Sequence, residues 1–219
     1  MICALSWSGG KDATLALDRA LRQGLDVRYL FNIHEAITGR VRFHGVRRQL
    51  VVAQAASLGL ELLQAETHPH DFDLVFLGLL DRLRGLGVEA VVFGNIHLAD
   101  VRDWYEQRVH SFGLHHLEPL WGSPPAAVAR EFVDRGFRAR VVSVNTALAP
   151  DDWLGRELNH ALLDEIEREP AVDPAGERGE YHTFTYDGPL FRWPVSFIEA
   201  GVFEREGHRV LDLVPQVGE

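Results

Sequence analysis

Apolar residues in the first half of the chain fall into short continuous runs, and stretches with helical spacing separate these runs. Runs typical of buried strands cover residues 1–5, 27–33, 61–65 and 88–93. Apolar residues recur three or four positions apart over residues 12–21, 46–58 and 72–86, and again at Val101, Trp104, Tyr105 and Val109. Strands joined through helices pair in parallel by right-handed crossovers. The pattern therefore predicts an α/β fold with a doubly wound, mostly parallel sheet.

The pattern changes near Trp121. Residues 117–121 predict one more short strand, and residues 122–125 combine Gly and Pro, which interrupt regular elements. Further strand-like runs cover residues 138–144, 181–186, 195–203 and 208–213, and a helical pattern covers residues 152–167. Glu206 and Gly207 are typical of a tight turn between the last two strands. We predict a first domain over residues 1–122 and a smaller C-terminal α+β lobe over residues 123–219.

Composition narrows the class of protein. The 22 basic and 32 acidic residues leave a formal net charge of −10, so a nucleic-acid partner is disfavoured. No apolar stretch approaches the roughly 20 residues of a membrane span, and residues 1–11 lack the features of a signal peptide. We expect a cytoplasmic protein with Cys3 packed in a strand. Four histidines in pairs lack the spacing of metal ligands and are predicted to lie at the surface: His68, His70, His115 and His116.

The segment Ser8-Gly9-Gly10-Lys11-Asp12 lies between the first predicted strand and the first predicted helix. Backbone N–H groups at such a junction, together with the helix dipole, can hold an anion. The glycines allow backbone to approach phosphate closely, Ser8 can donate a hydrogen bond, and Lys11 can neutralise charge on a departing pyrophosphate. Asp12 can cap the helix or orient a magnesium ion. The Walker spacing is absent, and the structural alternative is a glycine turn with a helix cap.

This loop resembles the PP-loop of the ATP pyrophosphatases. Three further segments resemble the diphthine–ammonia ligase family of that superfamily: Arg42-Phe43-His44-Gly45-Val46-Arg47, Phe93-Gly94-Asn95-Ile96-His97-Leu98-Ala99-Asp100 and Gly176-Glu177-Arg178-Gly179-Glu180-Tyr181-His182-Thr183. The resemblance covers nearly the whole chain. It implies a Rossmann-like sheet of the HUP type as a PP-loop nucleotide-binding domain, followed by a C-terminal substrate lobe. It also implies ATP and Mg²⁺ as cofactors, with ammonia and a carboxylate-bearing acceptor as partners.

The activity that the resemblance implies is that of an ATP-dependent, AMP-forming ligase. Such an enzyme adenylates a substrate carboxylate with release of pyrophosphate and then amidates it with ammonia; reference members of the family do this to diphthine on elongation factor 2. The acceptor, which a protein side chain could provide, stays open, as do the ammonia source and a homodimeric state. The alternatives are a non-catalytic adenine-nucleotide sensor and an ATP pyrophosphatase that acts on a different small-molecule acceptor.

The resemblance carries over to particular positions. Lys11, Glu177 and Glu180 are the expected catalytic residues, and the two glutamates would position ammonia, accept its proton or hold magnesium. The expected ATP-binding residues are Ser6, Ser8, Gly9, Gly10, Lys11, Asp12, Asn32, Arg47, Gly94 and Asn95. The expected substrate-binding residues are His44, His97, Asp100, Tyr181, His182 and Thr183. The metal ligands are unknown, with Asp12 as a further candidate beside the two glutamates.

Structural roles compete with several of these assignments. The glutamates could belong to a charged surface loop, Arg47 could be a solvated arginine at a helix start, and Asp100 could be a helix N-cap. Two positions also depart from the family pattern. Ala13 replaces a common serine and removes one phosphate hydrogen bond, and Asn95 replaces an expected aspartate, which bears on metal binding and substrate choice.

Overall fold

The computed structural model describes residues 1–42 and 44–216. Phe43 of the second motif and residues 217–219 at the end of the predicted lobe lie outside the described residues. The first part of the chain forms the predicted parallel sheet, with strand order β3-β2-β1-β4-β5. Its strands are β1 (Ile2–Ser6), β2 (Asp26–Glu35), β3 (Glu61–Thr67), β4 (Ala90–Val92) and β5 (His115–Leu117). The helices that connect them are α1 (Lys11–Arg22), α2 (Arg48–Leu58), α3 (Phe72–Gly85) and α4 (Ala99–Ser111).

Helices cover both faces of this sheet. Cys3 and Leu5 of β1 face one core together with apolar residues of α1 and α2, whereas Ala4 between them faces a second core formed with α3 and α4. Alternate residues of a strand point to opposite faces, so a strand buried on both faces must be apolar throughout. This explains why the continuous apolar runs predicted the strands. The strand order and the helices on both faces confirm the predicted doubly wound fold.

The second part of the chain forms an antiparallel sheet with strand order β7-β6-β9-β8. Its elements are α5 (Pro125–Asp134), β6 (Arg138–Asn145), α6 (His160–Ile166), β7 (Tyr181–Asp187), β8 (Phe197–Arg205) and β9 (His208–Pro215). Glu206 and Gly207 have φ angles of 50° and 81° and form the predicted turn between β8 and β9. The predicted α+β lobe is therefore present as a separate antiparallel sheet with its helices.

Two predictions about individual elements were wrong, and one helix was not predicted. Residues 117–121 are not a strand: β5 ends at Leu117, and the segment that contains Pro119, which has no N–H to donate, turns instead. The predicted helix over residues 152–167 is broken, because Gly155 donates to the Val141 carbonyl and Val141 donates to the Arg156 carbonyl, each at 2.9 Å. These bonds hold the segment against β6 and leave a short 3-10 helix at Asp151–Trp153 and the α-helix α6. Helix α5 was not predicted, because Pro124 and Pro125 were interpreted only as breakers.

Two aspartates expected as helix caps do not cap. The N-cap of α1 is Gly10 and that of α4 is Leu98, and neither makes a side-chain capping bond. Asp12 and Asp100 lie in the first turns of these helices instead. A negative charge there still interacts favourably with the helix dipole.

The two sheets share one hydrophobic core. The cluster that contains Leu15 of α1 and Leu50 of α2 also contains Phe132 of α5, Phe184 of β7 and Leu213 of β9. The boundary between residues 122 and 123 stays a prediction. Among the described residues, no helix has the length and apolar character needed to cross a membrane.

Candidate active site

The second lobe holds the glycine loop in place. Gly9, with a φ of +85° that favours glycine, accepts a hydrogen bond from the Thr185 backbone N–H at 2.9 Å. The Lys11 backbone N–H donates to Thr183 Oγ1 at 3.0 Å. The buried Gln54 amide donates to the carbonyls of Gly9 and Thr185, at 2.9 and 2.6 Å, and accepts from the Trp7 indole. Thr183 and Thr185 of β7 thus fix the loop conformation. Thr183, which was predicted to bind substrate, is buried and has this structural role.

A cavity of 580 Å³ lies beside the loop, at the carboxyl edge of β1 and β2. This is the edge at which open α/β sheets bind ligands. Five of the predicted site residues line it: Ser6, Ser8, Asn32, His44 and Asp100. Aromatic side chains of α3 and α4 form much of the opposite wall: Phe72, Phe76, Trp104 and Tyr105. Trp104 and Tyr105 pack against Phe76 as predicted, with ring centroids 5.5 and 5.3 Å from its centroid, yet they also face the cavity.

Asn32 presents an unpaired acceptor in this wall. Its amide nitrogen donates to the Trp7 carbonyl at 2.7 Å, which fixes the orientation of the side-chain amide. Its Oδ1 atom is buried and has no hydrogen-bond partner among the described residues. A buried acceptor without a partner costs free energy, so a ligand that donates to it would be stabilised.

Lys11 does not line the cavity. Its ammonium is buried, contacts Asp12 Oδ2 at 2.9 Å, donates to the Ala175 carbonyl and lies 4.9 Å from the centroid of the Tyr181 ring. Burial alone would lower the pKa of Lys11, but the charge and hydrogen bond of Asp12, together with the charges of Tyr181 and Glu177, outweigh burial and raise it. Lys11 is therefore a permanent cation between the first turn of α1 and the second lobe.

Asp12 and Glu177 form an acidic pair beside this cation. Asp12 Oδ1 is buried with no hydrogen-bond partner among the described residues. Burial raises the pKa of Asp12, and the charge of Asp173 adds to the increase against the attraction of Lys11. Burial and the charge of Asp12 raise the pKa of Glu177 from 4.5 to about 7, although Glu177 accepts a hydrogen bond from the Ile96 N–H. Two carboxylates that resist ionisation in each other's presence are a favourable place for a cation.

Glu180, predicted to be catalytic, has a different place. It is buried, and its two carboxylate oxygens accept from the backbone N–H groups of Asp173 and Arg178, at 2.8 and 3.1 Å. These bonds fold the loop 173–180 and leave the carboxylate away from the cavity. Tyr181 is also fully buried and donates to the Pro174 carbonyl, so it supports the same loop instead of contacting substrate.

The segment after β4 carries two further predicted site residues. Asn95 donates to Glu118 Oε1 at 2.6 Å, and His97 lies 2.5 Å from Asp173 Oδ2 through its Nε2 atom. Gly94 is required for space, since a Cβ atom there would lie 3.0 Å from the Asp12 carbonyl carbon. The segment thereby packs directly on the first turn of α1.

Three imidazoles form a row behind the glycine loop. The His44 and His182 rings lie 4.5 Å apart, and the His182 and His208 rings 6.1 Å apart. Burial lowers the pKa of His44 to about 4 and that of His182 well below 6.5, so both are neutral near pH 7. A Cβ atom on Gly10 would lie 2.9 Å from the His44 ring, so this row also confines the loop.

Arg47 is not at the cavity. Its guanidinium forms a two-bond ion pair with Asp212 of β9, at 2.9 and 2.7 Å. Arg40 contacts the same carboxylate, and the surrounding arginines lower the pKa of Asp212. Arg47 therefore connects the two lobes, and its expected contact with phosphate stays a prediction.

Sequence reasoning missed several residues of the site. Gln54 is a polar residue on the buried face of an otherwise apolar helix, and that position was the available signal. Asp173, Trp7 and the aromatic wall gave no such signal, because their roles depend on contacts between residues that are far apart in the sequence.

The surface histidines are partly as predicted. His68, His70 and His115 are exposed, but the His116 ring is buried 5.0 Å from the Phe93 ring and near Glu118. Within residues 1–42 and 44–216, no group of three or more His, Cys, Asp or Glu side chains is arranged to hold a metal ion by itself.

Fold and site together define a class: a two-lobed α/β protein whose candidate site lies at the carboxyl edge of a doubly wound parallel sheet, under a second lobe that holds the first βα loop. Within this class the chain belongs to the diphthine–ammonia ligase family. The family description "Diphthamide synthase N-terminal domain" matches residues 1–116, and "Diphthamide synthase C-terminal domain" matches residues 124–212.

Individual relatives agree with this assignment. The chain is 29% identical to a diphthine–ammonia ligase of Danio rerio over 209 residues, which covers 84% of this chain and 82% of the relative. It is 32% identical to the Homo sapiens protein of the same name over 108 residues, 48% of this chain and 40% of that protein.

Among solved structures, a predicted subunit of tRNA methyltransferase from Methanocaldococcus jannaschii aligns with a TM-score of 0.48 and 14% identity, over 84% of this chain and 96% of that chain.

Proposed function

We propose that this protein is an ATP-dependent ligase that adenylates a substrate carboxylate, releases pyrophosphate and then forms an amide with ammonia. Family membership supports the reaction type, because the relatives described above are named diphthine–ammonia ligase. One structural observation carries the proposal: at the first turn of α1, the buried carboxylate of Asp12 keeps one oxygen unpaired and lies near enough to Glu177 for its charge to raise the pKa of that carboxyl.

The cavity would bind the adenosine part of ATP, which is consumed as a substrate. Its volume of 580 Å³ is in the range of small-molecule sites. The aromatic wall from α3 and α4 offers flat apolar surface to a base. Asn32 Oδ1 offers an acceptor to an amino group, and Ser6 and Ser8 lie where the cavity meets the glycine loop.

The phosphates would extend over the glycine loop to the first turn of α1. The N-terminus of a helix attracts anions through its free N–H groups and its dipole. Asp12 and Glu177 would hold Mg²⁺, and their chemistry fits because Mg²⁺ usually takes one or two carboxylates and completes its shell with phosphate oxygens and water. The ion would neutralise charge on the phosphates, and Lys11 would keep Asp12 ionised.

The remaining predicted residues would serve the acceptor. His44, His97, Asp100 and His182 stay proposals for substrate binding, and they lie on both lobes around the loop. A carboxylate oxygen of the acceptor would attack the α-phosphate, and the fixed geometry of the loop would contribute by orienting the reactants and stabilising charge. The cytoplasmic location and the homodimer remain predictions, as does the lack of a nucleic-acid partner.

Exchange of labelled pyrophosphate into ATP tests the proposal. The protein is incubated with MgATP, ³²P-labelled pyrophosphate and a defined panel of carboxylic acids, and AMP is followed in parallel with α-³²P-labelled ATP. We expect acceptor-dependent exchange and equal amounts of AMP and pyrophosphate. ADP and phosphate as products would contradict the proposal. Saturable MgATP binding without any exchange or turnover would favour the nucleotide sensor.

A further inference from the structure

Asp173 of the second lobe is held rigidly against His97 of the first. Its Oδ2 atom lies 2.5 Å from His97 Nε2, and its Oδ1 atom accepts from the Ala175 N–H at 2.8 Å. The Asp173 side chain is 4% exposed, and its backbone N–H is bound by Glu180. The carboxylate therefore has one orientation, with one oxygen directed at the imidazole.

This contact decides which nitrogen of His97 is free. An ionised carboxylate only accepts hydrogen bonds, so the ring nitrogen that faces it carries a hydrogen when the imidazole is neutral. Nδ1 then keeps its lone pair. Among the described residues it has no hydrogen-bond partner, and the His97 side chain is 30% exposed, so small molecules can reach the ring.

The pair lies next to the acidic site. Ile96, the neighbour of His97, donates its N–H to Glu177, and the charge of His97 acts to lower the pKa of Glu177. Asp173 likewise influences Asp12. The charged groups around the imidazole are thus Asp173 and Glu177 from the loop 173–180, with Asp12 and Lys11 beyond them. Glu180 is not an alternative base at this place, because both its oxygens hold backbone N–H groups.

We propose that His97 and Asp173 form a dyad that takes the proton from ammonia as it attacks the adenylate. The inference rests on the proposed function. The nitrogen lone pair forms the new C–N bond, the bond between the carbonyl carbon and the AMP oxygen breaks, and its electron pair leaves with AMP. The surplus proton on nitrogen moves to Nδ1 of His97, and the imidazolium is stabilised by the Asp173 carboxylate. His97 is the catalytic residue, and Asp173 is a positioning residue.

The experiment separates the two half-reactions. Wild type, His97→Gln and Asp173→Asn are compared in ATP–pyrophosphate exchange, which reports adenylation, and in amide formation with ammonium. The exposed His115 provides a matched control as His115→Gln. We expect wild-type exchange in His115→Gln, and exchange measured at saturating acceptor to fall far less than amide formation in the two dyad variants. The rate of amide formation should fall about 100-fold or more in the two dyad variants, which is typical of lost general-base catalysis. The loss should lie in kcat, with the KM for ammonium unchanged.

Hydroxylamine distinguishes proton transfer from a structural effect. It is much less basic than ammonia, so its adduct loses a proton to water more readily. The two dyad variants should therefore lose far less activity with hydroxylamine than with ammonia. An equal loss with both nucleophiles, or exchange that falls in parallel with amide formation, would overturn the dyad and leave the proposed function standing. Absence of exchange in the wild type overturns the proposed function and this inference with it.

A spectroscopic arm needs no acceptor. Long-range ¹H–¹⁵N correlation spectra of the wild-type protein, with His97 assigned by its loss in His97→Gln, report the tautomer directly. We expect neutral His97 to carry its hydrogen on Nε2 and to lose that preference in Asp173→Asn, whose amide can donate. Hydrogen on Nδ1 in the wild type would overturn the dyad.

Discussion

Glu177 titrates in a range that links the candidate metal site to pH. Burial and the Asp12 charge raise its pKa to about 7 in the folded protein. Between pH 4.5, the ordinary pKa of a glutamate, and about pH 7, the folded state therefore binds more protons than the unfolded state. Stability of the metal-free protein must fall as pH rises through this window, by about 2 kcal/mol after allowance for partial exposure. Mg²⁺ at pH 8 should restore it.

Glu177→Gln tests this expectation. The variant should be more stable than wild type at pH 8 without metal, and Mg²⁺ should stabilise it less than wild type. Urea unfolding at pH 5 and pH 8 measures both effects. Glu169→Gln, an exposed position, is the control. A pH dependence identical in wild type and Glu177→Gln would place the titrating group elsewhere.

Lys11 is a second residue whose charge contributes to the stability of the site. Replacing it with methionine removes the cation that lies 2.9 Å from Asp12 and leaves buried acidic groups without compensation. Loss of one member of a buried pair costs about 3 kcal/mol or more. We expect Lys11→Met to lose that much stability in urea unfolding. The double variant with Asp12→Asn should recover part of it; a double variant less stable than Lys11→Met would contradict the pairing.

At the scale of elements, α2 controls the glycine loop through Gln54. Its amide donates hydrogen bonds to the carbonyls of Gly9 and Thr185 and accepts one from the Trp7 indole. Gln54→Leu would remove the partner of the buried Trp7 indole and the side-chain donor to the carbonyls of Gly9 and Thr185, and a buried polar group left unpaired costs about 1–3 kcal/mol. We expect a loss of about 3 kcal/mol in stability, weaker MgATP binding and a changed Trp7 fluorescence. Gln49→Leu on the exposed side of the same helix is the control, and equal effects in both variants would contradict the role of Gln54.

For the whole molecule, the shared core predicts that the two lobes unfold together. Leu15 of the first lobe and Phe184 of the second belong to one buried cluster, and β7 bonds the glycine loop. Differential scanning calorimetry should therefore give one transition with equal calorimetric and van't Hoff enthalpies. Two resolved transitions would show that the lobes are independent.

The elements that sequence patterns predicted well are those in which burial follows the regular geometry of a strand or a helix. The strands buried on both faces and the helices α1 to α3 were found because burial makes their spacing regular. The break in residues 152–167 was not found, because it depends on hydrogen bonds from Gly155 and Val141 between distant segments. Helical spacing alone does not reveal such competition.

The sequence by itself determined the parallel sheet, the place of the glycine loop at its first junction and the family motifs, because these depend on local order and short spacing. Only the tertiary structure decided which motif residues face the cavity. It turned Arg47 toward Asp212, used Glu180 to fold its own loop and brought His97 to Asp173. The physical reason is that a polar group takes the partner that packing brings to it. For Asp173 that partner comes from the other lobe, 76 residues away in the chain.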